Sequence, residues 1–359
     1  MRRSAAHIVH EVDRHAPRMV LGLRPDPSAL LSGLKDVRMD TLKKLSYHSI
    51  LSAGQFDRET LLGIYKLSCL LQLGHLRIRD SLYDKILATA FFEPSTRTRL
   101  SFESAMMALG GKTLSVTEAA TTGIAKGESI LDIGQMFNSY AHAVVVRHTR
   151  QEALAELSTY LRIPLINGGN GSDEHPTQAI ADWYAILKWR PDLLDEGMPE
   201  KKRIHLGIVG TPARMRTIKS FLLLSLLFDR SISRITIISE MADPLGAEMP
   251  DYCRQSRIPV DIASDLEVVL PELDVIYMNS IAYLGDGYRT LESRFRINAQ
   301  SSLRPGSVVL HPLARKEELS VELDTSSHNL YFNQADGAVF IRKALLLTIF
   351  DKIPLPVLS

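Results

Sequence analysis

Apolar positions recur at helical spacing across residues 57–73, where Leu61, Ile64, Leu67 and Leu71 share one face. An unbroken apolar run over 86–92 then predicts a buried strand. Leu100, Phe102, Ala105, Met106 and Leu109 predict the helix that follows it. The alternation continues. Strands are predicted at 112–116, 143–146 and 164–166, with helices starting near Ile130 and spanning about 152–161. After a Gly-rich turn at 167–174, His175-Pro-Thr-Gln178 opens a helix with Ile180, Trp183 and Ile186 on its apolar face. Pro176 suits a first helical turn, because its missing N–H would be unpaired there anyway. Polar residues 190–202 read as a linker. A second alternating unit has strands at 204–209, 235–238, 260–262, 275–278 and 308–310. Residues 338–353 read as an apolar helix that returns to the first unit.

Strand and helix in alternation imply parallel sheets covered on both faces. The predicted fold class is α/β, with two doubly wound parallel-sheet domains and the active site in the cleft between them. The predicted division is an extension over 1–43, a first domain over 44–190 completed by helix 338–353, and a second domain over 191–337. Ligands bind beyond the carboxyl ends of such strands. Three of these ends carry Ser95-Thr-Arg-Thr98, Arg147 and His175-Pro-Thr-Gln178, so those residues are expected to converge. Hydroxyls and an arginine at a strand-to-helix turn make an anion site at the positive end of the helix dipole. The same turn also fits an ordinary Ser-capped helix with solvated arginines. Arg214 and Arg216 follow the first strand of the second unit and are further cleft candidates.

Composition narrows the function classes. A chain of 359 residues has room for two cores. Its 42 basic and 41 acidic residues leave a net charge of +1, which gives no electrostatic case for nucleic acid or a membrane surface. The greasiest run, 221–228, is far too short to span a bilayer. Cys69 and Cys253 lie in no metal-ligand or disulfide spacing, which fits a reducing cytoplasm. There is no GxGxxG after the second unit's first strand, so a nicotinamide-dependent dehydrogenase has only the generic α/β pattern behind it. Residues 1–43 mix arginines with acids and lack an apolar core. They are expected to form a partly ordered tail on the surface, and they give a targeting role little support.

Four separated motifs carry a resemblance: Phe92-Glu-Pro-Ser-Thr-Arg-Thr-Arg99, Val146-Arg-His148, His175-Pro-Thr-Gln178 and His311-Pro-Leu313. In order and spacing they resemble the aspartate/ornithine carbamoyltransferase family over about residues 45–352. His311-Pro-Leu-Ala314 is closer to the aspartate branch than to the ornithine branch. The resemblance implies that Ser95, Thr96, Arg97 and Thr98 hold the phosphate of carbamoyl phosphate. It implies that Arg147 bridges phosphate and carbonyl oxygen, that His175 donates to that oxygen, and that Gln178 orients the carbamoyl NH2. Thr122 and Lys126 match a loop that reaches into a neighbouring subunit's site, which makes the implied assembly a homotrimer. Arg216 matches the arginine for the acceptor's α-carboxylate, and Pro312 and Leu313 would offer carbonyls to the incoming amine. No cofactor and no metal are implied.

The chain departs from the family pattern on the acceptor side. Ser280 and Ala282 stand where an arginine and a glutamine are expected to grip an aspartate side chain. Serine cannot replace a bidentate guanidinium, and losing such a pair costs roughly 2–5 kcal/mol. Arg289, Arg294 or Arg296 would have to substitute from the following loop. The expectation is therefore a carbamoyltransferase with an intact donor half and a neutral, basic or diamino acceptor. True aspartate carbamoylation is the alternative, and a catalytically inactive carbamoyl-phosphate-binding relative is the alternative of another class. Ala314 replaces a proline often preceded by a cis bond, so that turn is expected to be strained or rebuilt.

Overall fold

A computed structural model of the chain describes residues 21–116, 128–279 and 293–354, together with the backbone of 281–283 and 288–290. The first half runs α1 (Pro27–Gly33), α2 (Arg58–Gln72), β1 (Ile86–Phe91), α3 (Thr96–Ala108), β2 (Lys112–Val116), α4 (Ile130–Tyr140), β3 (Ala143–His148), α5 (Ala153–Ser158), β4 (Leu165–Asn170) and α6 (Pro176–Trp189). Its four strands form a parallel sheet in the order β2-β1-β3-β4. The second half runs β5 (Ile204–Val209), α7 (Arg216–Ser225), β6 (Ile232–Ile238), α8 (Met249–Gln255), β7 (Val260–Ala263), α9 (Leu266–Val269), β8 (Val275–Met278), β9 (Ile281–Tyr283), β10 (Tyr288–Thr290), β11 (Val308–Leu310) and α10 (Tyr331–Ile349). Its five-stranded sheet is parallel throughout, in the order β11-β8-β5-β6-β7, and β9–β10 is a separate antiparallel hairpin. The α/β class with two parallel-sheet layers is as the alternating pattern predicts.

The central strands are buried because helices cover both faces of each sheet, whereas the edge strands β2 and β7 are partly exposed. Val144, Val145, Ile166, Leu206 and Ile208 are all fully buried, which is why they read as apolar runs without alternation. Between the halves, α6 packs on α7. Trp183 stacks on Phe228 with ring centroids 4.0 Å apart, and Phe221 stacks on Tyr277 at 4.1 Å. Such aromatic pairs bury large apolar area and make this junction a continuation of the core. No helix of the described residues is long and apolar enough to cross a membrane.

Three expectations need correction. Residues 21–43 are not a surface tail: Leu30, Leu34, Met39 and Leu42 are buried in the main core, and Asp26 caps α1. Residues 1–20 lie outside the described residues. Asn167-Gly-Gly-Asn170 is not a turn but the end of β4, where glycines let neighbouring chains approach. The last helix begins at Tyr331 rather than 338, so the expected boundary at 337 falls inside it. Its first turns carry Asn333 and Gln334, which look like loop residues in sequence but are buried.

Candidate functional site

The carboxyl ends of β1, β3, β4, β5 and β8 open onto one cavity of about 410 Å3. The turn after β1 supplies Ser95 at the N-cap of α3, with extended backbone. Its side chain makes no capping hydrogen bond, so it does not satisfy the first-turn N–H groups of Thr96, Arg97 and Thr98. That distinguishes this turn from an ordinary Ser-capped helix. Arg97 lines the cavity, and burial lowers its pKa. It has no ion-pair partner among the described residues.

Arg147 arrives from β3 and His175 from the N-cap of α6, and the buried Thr98 hydroxyl lies 3.2 Å from His175 Nε2. Burial, reinforced by Arg147, Arg216 and Arg342, pushes the His175 pKa well below its ordinary value. The imidazole is therefore neutral at physiological pH, with one N–H to donate. Gly169 shows how closely these groups converge. A Cβ added there would lie 3.2 Å from Arg216 Nε, 3.4 Å from an Arg147 nitrogen and 3.4 Å from His175. Its φ of +113° also favours glycine.

Arg216 opens α7 on the opposite side. It donates to Glu93 at 2.6 and 2.9 Å and to the Gly171 carbonyl at 2.6 Å. Arg147 donates to the same Glu93 at 2.7 Å. Burial alone would raise the Glu93 pKa, but the two arginines outweigh it and hold the carboxyl below its ordinary value. Glu93 is thus an ionised bridge between two sequence-predicted site residues. Its role is not evident from strand and helix alternation, and the usable signal in the sequence is an acid inside an otherwise cationic motif. Asn279, also missed, lines the cavity and donates to Thr217 at 2.7 Å.

The far wall is the turn after β11. Leu313 N–H donates to His311 Nδ1 at 2.8 Å, which fixes the tautomer. Nε2 then carries the proton and donates to Glu318 at 3.0 Å. The His311 backbone N–H donates to Gln334 at 2.9 Å. Pro312 and Leu313 are held at the cavity edge, Leu313 has a φ of +55°, and the Leu313–Ala314 peptide bond is cis without a proline. Arg214 and Lys316 also line the cavity, and neither side chain makes an ion pair with a described residue.

Ser95, Thr96, Arg97, Thr98, Arg147, His175, Gln178, Arg216, Pro312 and Leu313 therefore all meet at this cavity. Thr122, Lys126 and Ser280 lie outside the described residues, as does the side chain of Ala282. Of the candidate loop arginines, Arg289 faces Ala282 in the β9–β10 register, and its side chain is outside the described set. Arg294 sits over the Phe295 ring and Arg296 pairs with Glu317, and neither lines the cavity. His148 accepts from the Arg150 backbone, and Arg150 pairs with Glu156 at the surface.

Two parallel-sheet α/β units thus meet over one cation-rich cavity at their strand ends. Family models match residues 48–188 as an aspartate/ornithine carbamoyltransferase carbamoyl-P binding domain and residues 202–349 as the corresponding Asp/Orn binding domain. The chain therefore belongs to the aspartate/ornithine carbamoyltransferase family and is a carbamoyltransferase. It is 36% identical to an aspartate carbamoyltransferase catalytic subunit of Chromobacterium violaceum over 76% of this chain and 88% of that one. It is 34% identical to the corresponding subunit of Pyrobaculum calidifontis over 84% of this chain and 97% of the relative. Among solved structures, aspartate transcarbamoylase from Trypanosoma cruzi in complex with carbamoyl phosphate superposes with a TM-score of 0.74 at 27% identity. That match covers 86% of this chain and 97% of the other.

Proposed function

We propose that this protein transfers the carbamoyl group of carbamoyl phosphate to the α-amino group of aspartate. The observation that carries the reading is the shared cavity, in which the α3 N-terminus, Arg147 and His175 face Arg216 and the Pro312–Leu313 turn. The uncapped first turn of α3, with Ser95, Thr96, Arg97 and Thr98, takes the phosphate. In this reading Thr122 and Lys126 of a neighbouring copy complete that phosphate site in a homotrimer. Thr98, Arg147 and the neutral His175 surround the carbonyl oxygen, where negative charge builds as the amine attacks. Gln178 meets the carbamoyl NH2. Arg216 takes the acceptor's α-carboxylate, and the Pro312 and Leu313 carbonyls orient its amine. That amine must be neutral to attack, and α-amino groups titrate near 7.7–8.0, so deprotonation is cheap at physiological pH. The departing phosphate keeps its anchor and accepts the amine proton. Rate then comes from positioning and fixed charge rather than a covalent intermediate.

Aspartate is favoured over the neutral, basic or diamino acceptor expected from Ser280 and Ala282. Relatives that span most of this chain are described as aspartate carbamoyltransferases. Arg214 and Lys316 add cations to the cavity, suited to a second carboxylate. The deciding experiment follows phosphate release from carbamoyl phosphate across a panel of amino acids. Saturable turnover is expected with aspartate and little with asparagine. Faster turnover with a neutral or basic amino acid would refute the acceptor assignment. Carbamoyl-phosphate binding with no turnover on any amine would indicate a binding module instead.

A further inference from the structure

Asp182 takes no part in the chemistry above, yet its buried carboxylate is tied to both sides of the cavity. It lies on α6 one turn beyond Gln178 and has no exposed surface. One oxygen accepts from Gln178 Nε2 and from Gln334 Nε2, each at 2.6 Å. The other accepts from the Tyr277 hydroxyl at 2.8 Å. Gln334 in turn accepts from the His311 N–H at the far wall, and Tyr277 lies two residues before Asn279.

An ionised carboxylate accepts hydrogen bonds and donates none. Any amide that meets it at 2.6 Å must present its nitrogen, because an oxygen there would be repelled. Gln178 is therefore pinned by Nε2, and its Oε1 is the end turned away from Asp182. No described residue donates to that oxygen, and Gln178 lines the cavity. An acceptor in that place bonds an NH2 group and gains nothing from a methyl group of the same size. A flipped amide would set N–H against N–H and lose the bond. Burial raises the Asp182 pKa to about 6, while Gln334, Tyr277, Gln178 and the nearby Arg342 favour the charged form, so the carboxylate is ionised at neutral pH.

We propose that Asp182 is a positioning residue: by holding Gln178 Nε2 it aims Gln178 Oε1 at the carbamoyl NH2 and so sets the preference for a carbamoyl over an acetyl donor. The inference rests on the placement of the carbamoyl group beside Gln178 proposed above.

The test is Asp182→Asn in the full chain. Asparagine keeps the shape but loses the charge, which frees the Gln178 amide to turn. Two readouts are compared: kcat/KM for carbamoyl phosphate, and competitive inhibition by acetyl phosphate. Carbamoyl phosphate should lose about tenfold, the size of one charge-assisted bond becoming a weak one. The acetyl phosphate inhibition constant should move less than twofold. In a Gln178→Leu background, Asp182→Asn should leave the carbamoyl-to-acetyl preference unchanged. Tyr277→Phe, which loosens the carboxylate without removing it, should shift the preference the same way by about threefold, and covers the case of a misfolded Asp182→Asn. Equal losses for both phosphates would overturn the proposal, as would a further shift in preference in the Gln178→Leu background. A wild-type enzyme with no carbamoyl preference and a silent Gln178→Leu would also overturn it, and would locate the fault in the placement of the carbamoyl group. A preference lost in Gln178→Leu but untouched by Asp182→Asn would locate it in Asp182.

Discussion

Replacing Glu93 with glutamine tests whether one carboxylate fixes both arginines of the cavity. Glu93 accepts one bond from Arg147 and two from Arg216, at 2.6–2.9 Å. The three side chains are only 9%, 12% and 16% exposed, so water screens them weakly. Glutamine keeps the shape but is neutral, and one end of its amide meets a guanidinium with a donor. Hydrogen bonds to charged groups contribute about 1.5–3 kcal/mol and neutral ones about 0.5–1.5, so three weakened bonds lose roughly 3 kcal/mol. For a chain of 359 residues that corresponds to a fall in melting temperature of roughly 4 °C. The assay is thermal unfolding of both proteins in phosphate-free buffer and again with saturating phosphate. Phosphate at the α3 N-terminus restores negative charge beside Arg147, so it should recover about half of the loss. The sign with pH follows from the lowered Glu93 pKa. Its stabilisation is complete above the ordinary carboxylate range and is lost as pH falls through the lower folded value, so the gap between the two proteins should close in acid. Equal melting temperatures in phosphate-free buffer at neutral pH would refute the bridge.

Lys188 is buried, its ammonium has no hydrogen-bond partner among the described residues and lies 4.7 Å from the Tyr184 ring centre, and burial lowers its pKa from 10.5 to about 8. The folded state then binds fewer protons than the unfolded state between those values, so stability should rise with pH across that window. Lys188→Met should flatten the rise and stabilise the protein by about 3 kcal/mol below pH 8, checked by denaturant melts at several pH values. Lys316→Ala should raise the KM for aspartate about fivefold while leaving carbamoyl-phosphate binding unchanged, as expected of one exposed charge. An unchanged aspartate KM in steady-state kinetics would remove Lys316 from the acceptor site. His175→Asn should lower kcat by about 100-fold through loss of a donor to the developing oxyanion. Because His175 is neutral well below pH 6.5, the wild-type rate profile should show no limb from it near neutrality.

The convergence of the α3 N-terminus with Arg147 and Gln178 was legible because these residues sit at strand ends that alternation alone locates. Ser95–Thr98, Arg147 and Gln178 each follow a readable switch from an apolar run to a helix. Glu93 was not legible in the same way, since its importance lies in reaching two arginines, one near the end of β3 and one opening α7. The first turns of α10 were missed because Asn333 and Gln334 look polar, while tertiary hydrogen bonding buries them. The α1 region was read as tail for a related reason: Leu30, Leu34, Met39 and Leu42 are scattered among charges, and only the packed structure shows them on one buried side. The Gly-rich end of β4 defeated the pattern because glycine in sequence signals a turn, whereas here it makes room for Arg147, Arg216 and His175.

The path of α10 sets an order in which this chain can be made. The helix starts beside β11, where Leu330 N–H bonds the Val309 carbonyl, and then lies across α2, α3 and α6 of the first sheet. Synthesis proceeds from the amino end, so those three helices leave the ribosome with an apolar flank bare. The cover follows only after everything between Trp189 and Tyr331 has been translated, a wait on the order of ten seconds. The first half is thus older on the ribosome than its own lid, and its folding closes only after that last helix has emerged.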